Sequence, residues 1–99
     1  MSELLDDAAI DHGLAGLTGW SRDGDSLVRK VELDDFPQAI TVVGQVGDLA
    51  ERADHHPDID IRWRTLTFRC STHSAGGITA KDLALAGDIN ATIDAVRAA

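Results

Sequence analysis

The sequence predicts an α+β fold: a four-stranded antiparallel sheet with helices packed on one face, in the order α-β-β-α-β-β-α. Three observations predict it. Ile59, Ile61 and Trp63 alternate with Asp60, Arg62 and Arg64, and Leu66, Phe68 and Cys70 alternate with Thr67 and Arg69, so period two occurs twice in succession. Asp23-Gly24 is a hairpin signal between a short strand near Trp20 and a longer one over 27–33. Before, between and after these hairpins, apolar residues recur at three- and four-residue steps. With 99 residues, 43% hydrophobic and 26% charged, the chain is expected to form a single domain over 1–99 around one core.

Taken in order, Leu4, Ile10, Leu14 and Leu17 predict a first helix over 4–17, weakened by Gly13 and Gly16 and broken at Thr18-Gly19. After the first hairpin, Asp34-Asp35 offer N-caps and Pro37 suits a first helical turn. The second helix is expected to present Phe36, Ile40, Val43, Val46 and Ala50 to the core and to end near Asp54, with Gly44 and Gly47 permitting close packing on the sheet. Strands over 58–62 and 66–72 follow, joined near Arg64-Thr65. Gly76-Gly77 makes a loop, and Thr79 with Asp82 forms a capping box for a last helix carrying Leu85, Ile89, Ile93 and Val96 on one face. Such a sheet has edges that need protection, and extension through a dimer is one solution.

The formal net charge of −8 argues against non-specific binding to nucleic acid or to anionic membrane. Arg62, Arg64 and Arg69 are the one concentration of positive charge. No apolar run approaches the ~20 residues that span a bilayer. A lone Cys70 forms no intramolecular disulfide and sits in an apolar alternation that suits a core thiol. No leader pattern follows Met1, so a cytoplasmic location is expected.

Three of the four histidines, His55, His56 and His73, fall in one window, while His12 stands apart. Histidine is the side chain whose charge changes nearest physiological pH, so the window concentrates proton-transfer capacity. His55-His56-Pro57 lies where a helix ends and a strand begins, and the proline restricts His56 towards extended geometry. Antiparallel pairing of the last two strands returns the chain beside its start, which brings His73 towards His55 and His56. Glu51, one helical turn before His55, can orient an imidazole, and Asp82 can orient another. Two other readings stand beside catalysis. The paired histidines can be solvated caps complementing a helix dipole. They can also hold a metal, using His55 or His56 with His73 and Asp58 or Asp82, although the spacing matches no metal signature and no metal is expected. Trp20 and Trp63 suit core anchors, and Trp20, following a glycine in a turn, also suits an edge beside a pocket.

Glu51, His55-His56-Pro57, Trp63, His73 and Asp82 together resemble the pterin-4a-carbinolamine dehydratase family, which includes the dimerisation cofactor of a homeodomain transcription factor. Leu17-Thr18-Gly19-Trp20, the Phe36 helix, Ser71-Thr72-His73 and Gly77-Ile78-Thr79 extend the similarity from about Leu4 to Val96. Ser74 departs from it, since some members carry an acidic residue there. The resemblance implies a protein that dimerises by sheet pairing, often as a dimer of dimers. It also implies dehydration of 4a-hydroxytetrahydropterin to quinonoid dihydropterin, which recycles the cofactor of aromatic amino acid hydroxylases. In that frame the pterin is the substrate and no separate cofactor is needed. His55 and His73 would be the acid–base residues and His56 would bind and orient the pterin. Glu51 and Asp82 would orient the histidines, Trp20 would border the pocket, and the main chain near Ser71 and Thr72 would meet the pterin edge. The competing expectation is a binding or assembly module that keeps the fold and stabilises a partner protein. Its transcriptional version is disfavoured by the acidic charge.

Overall fold

A computed structural model describes residues 3–99 and places the elements in the expected order. Helix α1 (Asp7–Ala15) leads to strands β1 (Trp20–Asp23) and β2 (Ser26–Glu32), then α2 (Phe36–Ala53). Strands β3 (Asp58–Arg62) and β4 (Thr65–Cys70), a single 3-10 turn (His73–Ala75) and α3 (Ala80–Ala98) complete the chain. The sheet runs β1-β2-β4-β3 and is antiparallel throughout, so the two hairpins meet where Leu27 pairs with Cys70 and Val31 with Leu66.

Period two divides the sheet into unlike faces. Leu27, Val31, Leu66, Phe68 and Cys70 point into the core and meet Ile89, Ile93 and Leu85 of α3 and Val42 and Val46 of α2. The opposite face carries Lys30, Glu32, Asp60, Arg62, Thr65 and Thr67 around an open polar hollow. None of the described helices is long and apolar enough to cross a membrane.

Four details differ from the expectations. Helix α1 begins at Asp7, because the Asp6 side chain caps it by accepting from the Ala9 amide at 2.8 Å. Leu4 is instead bridged to Thr79, with the Leu5 amide donating to the Ile78 carbonyl at 2.9 Å. On α2 the buried stripe is Ala39, Val42, Val46 and Ala50, so Phe36 and Ile40 are exposed at 47% and 42%. A helix packed against another helix as well as the sheet selects its small residues for the inner face. Gly44 and Gly47 lie on the opposite side, where an added Cβ would meet nothing within 4 Å, so they make no close packing. Trp63 is not a strand residue: it forms the hairpin turn at φ 53°, is 70% exposed, and lies under the Arg64 guanidinium at 4.7 Å. Strand β4 ends at Cys70, and His73 opens the 3-10 turn that follows.

The start of α3 is held by the expected capping box. Thr79 Oγ1 accepts from the Lys81 amide at 3.2 Å, while Asp82 Oδ2 accepts from the Thr79 amide at 2.9 Å. Asp82 is fully buried. Replacing it with Ala is expected to destabilise the fold by about 2–4 kcal/mol, the loss of a cap plus stranded buried donors, readable by chemical denaturation. Burial, reinforced by the charges of Asp82 and Asp58, pushes the Cys70 thiol up to about 12 from 9.0. The folded thiol therefore stays protonated where an unfolded one ionises. Its stabilising contribution is complete below pH 9.0 and drains away as pH rises towards about 12. Alkylation at pH 8 is expected to spare the native protein and label it once unfolded, and Cys70→Ala is expected to remove that alkaline loss of stability.

Candidate active site

The histidine window assembles at one end of the sheet because three chain segments stop there together. Helix α2 ends at Asp54 in the left-handed conformation, φ 51° and ψ 42°, with the Asp54 amide bonded to the Glu51 carbonyl. That turn directs the chain through His55, His56 and Pro57 into β3. Register then sets Asp58 opposite Arg69, so β4 leaves the sheet beside the start of β3. The exit is fastened by Thr72 and Gly77, which pair as an isolated bridge around the turn carrying His73.

His55 is the most enclosed of the three, with its side chain 12% exposed, and its Nε2 lies 2.6 Å from Asp82 Oδ1. The carboxylate is saturated on its other oxygen, where Oδ2 accepts from Thr72 Oγ1 at 2.8 Å as well as from the Thr79 amide. Thr72 has one hydroxyl proton and spends it on Asp82, so in its 2.8 Å contact with Thr79 the Thr79 hydroxyl is the donor. Both carboxylate oxygens and both threonine hydroxyls of this cluster are thereby bonded, and the proton on His55 is held at Nε2 facing the carboxylate. His56 is exposed, and its Nε2 lies 2.7 Å from Glu51 Oε2, reaching back to the last turn of α2. Each of the two neighbouring imidazoles thus has its own carboxylate.

A cleft of about 330 Å³ opens here, lined by His56, His73, Ser71, Asp58, Arg69 and Asp25, among others. Ser71 and His73 enter it from the end of β4, with buried Thr72 between them turned inward to Asp82. His55 borders a separate, more apolar hollow of about 130 Å³ with Ala53, Lys81, Leu85 and Asp88. The structure therefore joins Glu51 to His56, Asp82 to His55 and Thr72, and His56 to His73 across one cleft. It places Trp20 elsewhere: the indole is buried in the core and donates from Nε1 to Asn90 Oδ1 at 2.7 Å. Among the described residues, no group of three or more His, Cys, Asp or Glu is arranged to hold a metal ion.

On the cleft wall, Asp58 enters the sequence reading only as a candidate metal ligand and Arg69 only as part of the cationic concentration, and Asp25 does not enter it. Asp58 directly follows the His55-His56-Pro57 run and Arg69 alternates with the buried residues of β4, so their spacing carried a signal. Asp25, beyond the Asp23-Gly24 turn, carried none.

Comparison with known proteins gives one answer. The family model for pterin 4 alpha carbinolamine dehydratase matches residues 3–92. A Mycobacteroides abscessus protein named "Putative pterin-4-alpha-carbinolamine dehydratase" is 59% identical over 90 residues, covering 91% of this chain and 96% of that protein. A Nocardia farcinica protein of the same name is 54% identical over 89 residues, covering 90% and 94%. Among solved structures, a transcriptional coactivator/pterin dehydratase from Brucella melitensis superposes with a TM-score of 0.87 at 27% identity, over 90% of this chain and 97% of that one. A pterin dehydratase-like protein identified as a RuBisCO assembly factor in the alpha-carboxysome shares the fold, with a TM-score of 0.62 at 15% identity over 75% of this chain and 86% of that one. The chain belongs to the pterin-4a-carbinolamine dehydratase family.

Proposed function

We propose that the protein dehydrates 4a-hydroxytetrahydropterins to quinonoid dihydropterins by histidine acid–base catalysis. The observation that carries this reading is the pairing of each of the two adjacent imidazoles with its own carboxylate, His56 lining one cleft with His73 and His55 enclosed behind it. The reaction expels the 4a-hydroxyl as water and removes the N5 proton, so it needs one proton donor, one acceptor and no change of oxidation state. His73 and His55 fill these two roles. The buried Asp82 holds His55 by Nε2, which leaves Nδ1 as the atom that exchanges the substrate proton, and it stabilises the imidazolium formed on the way. His56, braced by Glu51, binds and orients the pterin, and the main chain at Ser71 and Thr72 borders the ring edge. Asp82 also grips Thr72, the residue before His73, so one carboxylate sets the position of both proton-transfer groups.

A non-catalytic role in assembly is the alternative, since the fold is shared with a protein identified as a RuBisCO assembly factor. A scaffold has no chemical need for a fully bonded buried His–Asp pair beside a histidine-lined cleft.

The purified protein is expected to accelerate dehydration of 4a-hydroxytetrahydrobiopterin. His55→Ala and His73→Ala are each expected to lower kcat by about 10²–10⁴, with the fold intact by circular dichroism. No rate above buffer for the wild type would sink the enzymatic reading. Thr72→Val separates positioning from chemistry: it removes one hydrogen bond to Asp82 and is expected to cost about tenfold in kcat with KM little changed. A loss seen in KM alone would deny Thr72 that role.

A further inference from the structure

Arg29 breaks the pattern of its strand. It occupies an inward position of β2 between the buried Leu27 and Val31, opposite Trp20 of β1, and is itself only 9% exposed. Buried charges are ordinarily paired, because desolvating an ion without a counter-charge is unfavourable. Arg29 has no ion-pair partner among the described residues. Its Nη1 donates to Asn90 Oδ1, a neutral acceptor already receiving the Trp20 indole, and its Nε has no hydrogen-bond partner among the described residues. Burial pushes the guanidinium pKa down, the charge of Arg97 pushes it the same way, and Asp94 opposes them. The group nonetheless stays charged at any ordinary pH.

The guanidinium lies in the wall of a second cleft, about 430 Å³, between the α1–β1 connection and α3. Thr18, Asn90, Ala91 and Asp94 line it with Arg29, and it shares no lining residue with the histidine cleft. Gly19 closes the core side: it has φ +84°, and a Cβ there would fall 2.8 Å from Arg29 Nε. Asn90 is fixed by donating from Nδ2 to the Thr18 carbonyl at 3.1 Å. A cation is thus fixed in a cleft by neutral groups, with its protein counter-charge, Asp94, outside ion-pair distance.

We propose that this cleft is a second binding site, taking the carboxylate of a small monoanionic molecule on Arg29, with the Thr18 hydroxyl beside it. A planar carboxylate matches the guanidinium fork. Asp94 acts as a charge filter: a dianion doubles both the attraction to Arg29 and the repulsion from Asp94, while its desolvation cost grows faster than its charge, so a monoanion is favoured.

The test is a titration of the isotope-labelled full chain with acetate, and in parallel with inorganic phosphate, at ionic strength held constant with chloride. Saturable amide shifts at Thr18, Gly19 and Ala91 are expected with acetate, with phosphate weaker by about tenfold. Arg29→Met is expected to abolish the response. Because that variant removes a buried side chain, exposed Asp94→Asn supplies the second reading and is expected to tighten acetate binding by about fivefold. Shifts that never saturate, or an acetate affinity unmoved by Asp94→Asn, would overturn the site and leave Arg29 as a strut for Asn90. Phosphate binding more tightly than acetate would overturn the carboxylate assignment.

Discussion

One buried carboxylate organises this molecule. Asp82 is withdrawn from water, and a carboxylate in that position is tolerable only if its oxygens are fully bonded. Three donors meet it from three places: the Thr79 amide at the start of α3, the Thr72 hydroxyl after β4, and His55 at the end of α2. Capping a helix, closing the loop that carries His73 and orienting an imidazole are therefore one set of hydrogen bonds. The local demand of a helix N-terminus for an acceptor and the site's demand for a fixed histidine are met by the same side chain. Helix α3 in turn covers the inward faces of β2 and β4, so the site forms only when the sheet and last helix have docked.

Electrostatics repeats this economy on the outside. The three arginines that form the one cationic concentration in the sequence are each matched by an acid: Arg62 by Asp60, Arg64 by Glu32 and Arg69 by Asp23. Such exposed pairs add little stability. Their effect is to dissolve what would be a basic patch, leaving an open sheet face of mixed sign on a chain of net charge −8. Arg29 is the exception, charged and inward, with only an amide to meet it.

Much of this was legible in the residues. Period two in 59–70 and the Asp23-Gly24 turn located both hairpins, and the Thr79–Asp82 spacing located the start of α3 within a residue. The failures share a cause: one-dimensional pattern gives the period of an apolar stripe more firmly than its phase. On α2, Phe36 and Ile40 have the right spacing and greater bulk, yet the inner face went to Ala39 and Val42, because close approach to α3 favours small residues. Trp63 continues an alternation and suits a core anchor, but the chain reverses at that residue and leaves it exposed. At the site, Glu51 and Asp82 were recognisable as imidazole partners. Which carboxylate serves which histidine depended on the left-handed turn at Asp54, which no local spacing encodes.

The two carboxylate–histidine pairs differ in what surrounds them. Glu51 and His56 are both exposed, and their contact touches nothing in the core, whereas Asp82 cannot change without disturbing the start of a helix. Descendants of this sequence therefore explore the two halves of the site at unequal speed. The outer pair is free to drift, and with it the preference for one ring substituent over another. Asp82 stays fixed by folding alone, even in a lineage that no longer needs the reaction, so its persistence in a relative is weaker testimony to activity than the persistence of the three histidines.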